Sequence, residues 1–260
     1  MILLATVIGC IIAGGIIGFT GGMLGIGGGL LAIPLLAIVL NMGQQMAQGT
    51  ALIMVLPAVL LTLYKYNQHS RLNFAAAVIG GSSSFMSTWA GARLALNLPS
   101  STLRVIYAGF VLLMALFYFH QFYQRSRGIP RSTNYRSAND PSVSRLWFVL
   151  LGVMAGFTGG IFGVGGAVII VPLLTLLFRY SQTTAQGIAL SMVVPSTTVA
   201  LIAYSAHGQV AWSIGIPLAL GGLYMVPKGV SLAYKLPEPK LKLVFACTLV
   251  VIMFLLLIKV

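Results

Sequence analysis

The stretch GFTGGMLGIGGGLLAIPLL starting at Gly18 returns as GFTGGIFGVGGAVIIVPLL starting at Gly156, 138 residues later. The register then holds without a gap. Gln44, Ala47, Gln48, Gly49, Ala51, Leu52, Pro57, Tyr66, His69, Gly91, Leu98 and Pro99 each meet an identical residue at that offset. Such a chain is a duplication, and each copy interrupts an apolar sequence with glycine at the same place.

The solvent around the two copies follows from composition. Hydrophobic residues make up 58% of the 260 and charged residues only 7%, against about 25% charged in soluble domains. Runs such as Ala47 to Tyr64, Phe74 to Leu96, Leu103 to Phe122, Ile188 to Tyr204 and Leu241 to Ile258 are long enough to cross a bilayer. Each copy reads as five apolar segments. The second segment, Leu30 to Leu40 or Val168 to Phe178, holds 11 residues, too few for a hydrocarbon core that needs about 20. The expected fold is therefore all-α and polytopic, with full-length spans plus a short broken half-helix pair in each repeat.

Charge predicts the orientation. The net charge is +13, and Arg125, Arg127, Arg131, Arg136 and Arg145 crowd one polar linker. We divide the chain into a first membrane repeat at 1–123, a basic linker at 124–145 and a second repeat at 146–260. Cationic loops stay in the cytoplasm. If the linker is inside, an inverted repeat also places Lys65, Arg71, Arg179, Lys235, Lys240 and Lys242 inside, leaving mainly Arg93, Arg104 and Lys259 outside. A parallel repeat would strand one of these clusters, so inversion is expected, with both termini outside. The expected location is the inner, plasma membrane of a bacterium. A nucleic-acid role would need a folded basic face with stacking residues, and the linker offers only Tyr135. Cys10 and Cys247 lie in apolar segments and imply neither disulfide nor metal site. The first segment is structure rather than a targeting peptide, because its pattern recurs after Arg145.

Gly21, Gly22, Gly25, Gly27, Gly28 and Gly29 are too dense for a continuous helix, each costing about 1 kcal/mol relative to alanine. Open backbone at membrane depth survives only inside protein or along a watery cavity. A half-helix starting there presents free N–H groups and a partial positive charge, which suits an anion. The expected binding elements are Thr20, Gly21, Gly22, Gly25, Gly27 and Gly28, with Thr158, Gly159, Gly160, Gly163, Gly165 and Gly166 in the second copy. The outer glycines Gly14, Gly18 and Gly22, matched by Gly152, Gly156 and Gly160, also read as ladders for close helix packing, within the chain or in a homodimer. A nucleotide loop is rejected, since no strand precedes the block and no acidic residue follows it.

The only carboxylates are Asp140 and Glu238, both outside the apolar segments. That removes an intramembrane carboxylate relay and a carboxylate-held cation or metal. Paired-carboxylate hydrolysis falls with them, no acid orients the serines and histidines, and no cofactor is implied. An enzyme is not expected. Gln48, Gly49 and Thr50 open the third segment of the first copy, and Gln186 and Gly187 that of the second. Either glutamine can donate to and accept from a small oxyanion, or form an interhelical hydrogen bond. Ser82, Ser83, Ser84, Ser87 and Thr88 form a hydroxyl stripe present in one copy only, suiting either a one-sided path or helix packing. Lys228 and Arg93 read as snorkelling cations or as charges that draw anions toward a pore, and His69 and His207 as interfacial hydrogen-bonding groups or proton carriers.

The duplicated G-F-x-G-G-x-x-G-x-G-G-(G/A)-x-x-x-x-P-L block, followed by Ala-Gln-Gly-x-Ala-Leu and a proline five residues later, resembles the TauE/SafE sulfite exporter family of membrane permeases. The likeness covers essentially the whole chain. It implies a secondary transporter of a small sulfur-containing anion such as sulfite, sulfoacetate or another organosulfonate. Two positions break the internal match: Ala167 stands opposite Gly29, and Ile188 opposite Thr50. A passive anion channel and a membrane scaffold without transport remain as alternative readings of the same residues.

Overall fold

The computed structural model describes residues 2–69, 74–126, 144–236 and 238–257. These residues form helices throughout: α1 (Ile2–Leu24), α2 (Gly29–Val39), α3 (Gln44–His69), α4 (Phe74–Asn97), α5 (Ser100–Ser126), α6 (Arg145–Phe162), α7 (Ala167–Leu177), α8 (Gln182–Ala206), α9 (Trp212–Lys235) and α10 (Glu238–Leu257). Among the described residues, six helices are long and apolar enough to cross a membrane: α1, α3, α5, α6, α8 and α9. The short elements α2 and α7 have 11 residues each, as expected from the two short apolar segments. Most of the basic linker, residues 127–143, lies outside the described residues, as does Arg71.

The duplication extends to backbone conformation. Gly25, Gly27 and Gly28 have φ of 68°, 70° and 83°, and Gly163, Gly165 and Gly166 have 66°, 74° and 71°. Three left-handed residues in four end α1 and α6 abruptly, a conformation that costs any residue with a Cβ about 1–2 kcal/mol. Both breaks turn the chain into a half-helix whose N-cap glycine supplies no side-chain hydrogen bond. Beyond each half-helix, Asn41 and Arg179 repeat the left-handed conformation at φ 51° and 56°. Backbone geometry is thus kept there while residue identity is not.

The two copies interlock instead of standing side by side. α1 packs along α9 of the other copy, and α6 packs along α4. Gly14, Gly18 and Gly22 face Leu218, Gly222 and Val226 in turn, while Gly152, Gly156 and Gly160 face Gly80, Ser84 and Thr88. Four-residue steps on both partners mean that each pair runs parallel, backbone against backbone, because glycine leaves room for it. A methyl group on Gly22 would lie 2.6 Å from Val226 O. The glycine ladders are therefore consumed within the chain. The hydroxyl stripe takes its packing role here. Ser83 and Ser87 sit over Gly152 and Gly156, and Ser84 Oγ donates to Met192 O at 2.9 Å.

α3 and α8 form the centre, with α4 and α9 packed against them. Leu52, Met54, Leu190 and Met192 there are fully buried, whereas Ile12, Ile16, Leu113 and Leu116 are at least 60% exposed. Large apolar side chains turned outward along whole helices are the surface a lipid bilayer covers.

Candidate substrate site

The α3/α8 pair brings the two copies of the repeated sequence pattern into contact. Tyr66 Oη donates to Gln186 Oε1 at 2.7 Å, and Tyr204 Oη donates to Gln48 Oε1 at 2.8 Å. Gln48 and Tyr66 stand at opposite ends of α3, and their partners at opposite ends of α8, so these equivalent helices cross antiparallel. Eighteen residues separate Gln48 from Tyr66, about 27 Å of helix. The two glutamine–tyrosine pairs lie toward opposite ends of the α3/α8 contact.

Each pair is built on the glycine break of the opposite copy. A Cβ on Gly25 would meet Gln186 Cγ at 2.8 Å, and one on Gly163 would meet Gln48 Cβ at 3.1 Å. The breaks also meet each other, since a Cβ on Gly29 would lie 3.3 Å from Gly163 O and 3.5 Å from Val164 Cα. Leu24, Ile26, Val164 and Val168 around them are at most 2% exposed. The two breaks are thus buried inside the protein in this conformation.

The symmetry fails at one atom. Gln186 Nε2 donates to Leu24 O at 2.7 Å, so that amide is used on both sides. Gln48 is equally buried, at 0% exposed, yet its Nε2 has no hydrogen-bond partner. A buried, unanswered amide costs about 1–3 kcal/mol. Exchanging the amide nitrogen and oxygen does not cure it, because one of the two would still lack a partner.

The remaining expected residues divide by role. Thr20 Oγ1 lies 3.1 Å from Ile16 O and 3.0 Å from Ile17 O, and Thr158 Oγ1 donates to Met154 O at 2.6 Å, so both hydroxyls serve their own helices. Gly21 abuts Gly28, and Gly159 abuts Gly165, folding each break back onto the helix before it. Gly27 and Gly165 admit Val59 and Val193. Gly22 and Gly160 belong to the packing ladders. Gly49 lets the Gln209 carbonyl reach α3, and Thr50 Oγ1 accepts from Ala211 N at 3.0 Å. These two hold the α8–α9 turn. Gly187 is buried in α8 beside Gln186.

Residues outside the expected set also matter. Tyr66 and Tyr204, the partners of the glutamines, carried no chemical signal in the sequence beyond recurring at the common offset. Gln44 and Arg104 show in the sequence only as a repeat match and as a cation on the outer side. The peripheral cations behave as surface groups: Lys228 Nζ lies 4.5 Å from the Tyr224 ring centroid, and the Arg93 guanidinium lies 5.2 Å from that of Trp89. His207 Nδ1 is 2.8 Å from Ala203 O, whereas the His69 side chain lies outside the described residues.

Residues 10–256 match the family model described as "Sulfite exporter TauE/SafE". The chain is 26% identical over 255 residues to the "Probable membrane transporter protein MJ0441" of Methanocaldococcus jannaschii, covering 92% of this chain and 91% of that protein. It is 26% identical over 231 residues to a "Probable membrane transporter protein" of Xylella fastidiosa, covering 88% and 85% respectively. With the "Probable membrane transporter protein YunE" of Bacillus subtilis it shares 23% identity over 216 residues, 80% of this chain and 79% of that one. No solved structure matches the chain. A family match over nearly the whole length, on a bundle of membrane-length helices, makes this chain a member of the TauE/SafE sulfite exporter family and an integral membrane transporter.

Proposed function

We propose that this transporter carries a small sulfur-containing oxyanion, sulfite or an organosulfonate, by alternating access between two half-sites. The observation that carries the reading is the unpartnered Gln48 amide lying against the Gly163 break. An anion there would meet an amide donor and the start of α7, where backbone N–H groups and the helix dipole favour negative charge. The family description names sulfite, and the absence of carboxylates from the apolar segments suits an anion.

The difference between the glutamines supplies a mechanism. In this conformation Gln186 is tied to Leu24 and Gln48 is open. In the opposite conformation the pseudo-symmetry would tie Gln48 to the corresponding carbonyl, of Phe162, and release Gln186. The receptive half-site then moves from one end of the α3/α8 pair to the other. Breaks buried in the protein favour this exchange over a continuous pore.

Proteoliposomes holding the purified protein are expected to exchange radiolabelled sulfite and to accumulate it against its gradient when a proton or sodium gradient is imposed. Absence of sulfite, thiosulfate and sulfonate flux under every gradient overturns the transport reading. Flux that only ever equilibrates the anion assigns a channel.

We also infer that the two repeats are inverted in the bilayer, with the plasma membrane of a bacterium as their location. Antiparallel α3 and α8, exchanged by the pseudo-twofold, support an axis lying in the membrane plane. In a background with Cys10 and Cys247 changed to alanine, Asn97→Cys and Lys235→Cys at the equivalent ends of α4 and α9 should label from opposite faces. Labelling of both from the same face contradicts inversion.

A further inference from the structure

Three buried polar groups without hydrogen-bond partners lie on the first two turns of α3 and on α5, which packs against that end. Gln44 is 0% exposed, and neither its Oε1 nor its Nε2 has a partner. Gln48, one helical turn further along the same face, has the unanswered Nε2 already described. Arg104 on α5 is half-buried, and its Nε is buried and unpartnered. Hydrogen bonds pin α5 to this end of α3. The Gln44 main-chain N–H donates to Ser100 Oγ at 2.7 Å, Ser100 Oγ donates to Gln45 Oε1 at 2.7 Å, and Gln45 Nε2 donates to Leu98 O at 2.7 Å. Arg104 stands one turn after Ser100, and long side chains on a helix lean back over the preceding turn. A side chain leaning that way would bring the guanidinium toward the α3 N-terminus.

Unsatisfied buried donors are rare in native proteins, and three in one place call for a ligand. Their chemistry is consistent: a guanidinium fork, amide N–H groups and the positive end of a long helix all answer an oxyanion. The sequence repeats the residue types, with Gln182 opposite Gln44 and Lys242, also a cation, opposite Arg104.

We propose that the α3 N-terminus is a capture subsite, in which Gln44 and Arg104 bind a small oxyanion one helical turn before it reaches Gln48. This rests on the transport reading above and gives it a direction: the anion approaches the open half-site from the end of the molecule where α3 and α5 begin. Arg104 supplies the charge that draws the anion out of water, and Gln44 passes it on by donating from a position next to Gln48.

The test uses full-length protein, with sulfite as the probe. Initial rates of sulfite flux are measured for Gln44→Leu, Arg104→Gln and Arg104→Lys, together with unfolding midpoints in the absence and presence of sulfite. The expected result is a half-saturating concentration raised at least tenfold in Gln44→Leu and Arg104→Gln, with maximal rates within twofold of the parent. Arg104→Lys should recover part of the loss. Gln44→Leu should also raise the sulfite-free unfolding midpoint, because it removes a buried amide that nothing in the protein answers; a structural amide would lower it. Half-saturation unchanged within twofold in both variants overturns the subsite and leaves the transport reading standing. If the parent protein moves no sulfite at all, the transport reading fails, and the subsite is decided by the midpoints alone. Stabilisation by sulfite that Arg104→Gln loses supports it, and equal stabilisation in both overturns it.

Discussion

Gly28→Ala is expected to lower the unfolding midpoint of the detergent-purified protein, and Gly166→Ala to prevent its recovery as a monodisperse species. Both positions hold φ above +70°, costing an alanine about 1–2 kcal/mol before any clash. The surroundings then separate them. At Gly28 the new methyl meets Ile17 Cγ2 at 2.8 Å and Ile17 O at 3.0 Å, and part of that crowding is a side chain that can turn. At Gly166 it meets Ala155 Cα at 2.6 Å and Ala155 C at 2.8 Å, which is the backbone of α6 and cannot yield without moving the helix. Overpacking adds about 1–3 kcal/mol, which places Gly166→Ala at the upper end of what a marginally stable protein tolerates. Equal midpoints for both variants and the parent would contradict this account of the breaks.

Gln48→Leu and Gln186→Leu are expected to abolish sulfite flux alike while differing in stability. Gln186 answers both Tyr66 Oη and Leu24 O, so its loss strands two buried groups at about 1–3 kcal/mol each. Gln48 answers only Tyr204 Oη, which also lies 3.2 Å from Gly160 O and can turn its proton there. Gln48→Leu should therefore unfold close to the parent temperature and Gln186→Leu clearly below it. If Gln48→Leu were the less stable of the two, its amide would have a structural partner, and the open half-site would be withdrawn.

Much of the architecture could be read from the chain because its signals are dense and repeated. The glycine runs, the 11-residue segments and the fixed offset predicted two broken half-helices per chain within a residue of α2 and α7. Gly14 and Gly152 showed their spacing but not their partners, since nothing local says that α1 lies along α9 instead of its own copy. The same limit applies to the site. Gln48 and Gln186 stood out as amides in apolar segments, yet their pairing with the tyrosines of the opposite copy follows only from the antiparallel crossing of α3 and α8. The hydroxyls of Thr20 and Thr158 return their protons to their own backbone, a local choice that residue type alone leaves open. Gln44 shows in the sequence only as a repeat match, because a polar residue at a helix start is ordinary. What distinguishes it is full burial with both amide atoms unanswered, which no pattern of residue types records.

The central claim is that the anion sits where Gln48 of one repeat meets the glycine break of the other. Equilibrium binding of radiolabelled sulfite to the parent protein and to Gln48→Leu, both in lipid nanodiscs and both shown to be folded, tests it most directly. The account predicts saturable binding by the parent and at least tenfold weaker binding by Gln48→Leu. Binding of equal affinity by the two proteins would contradict it.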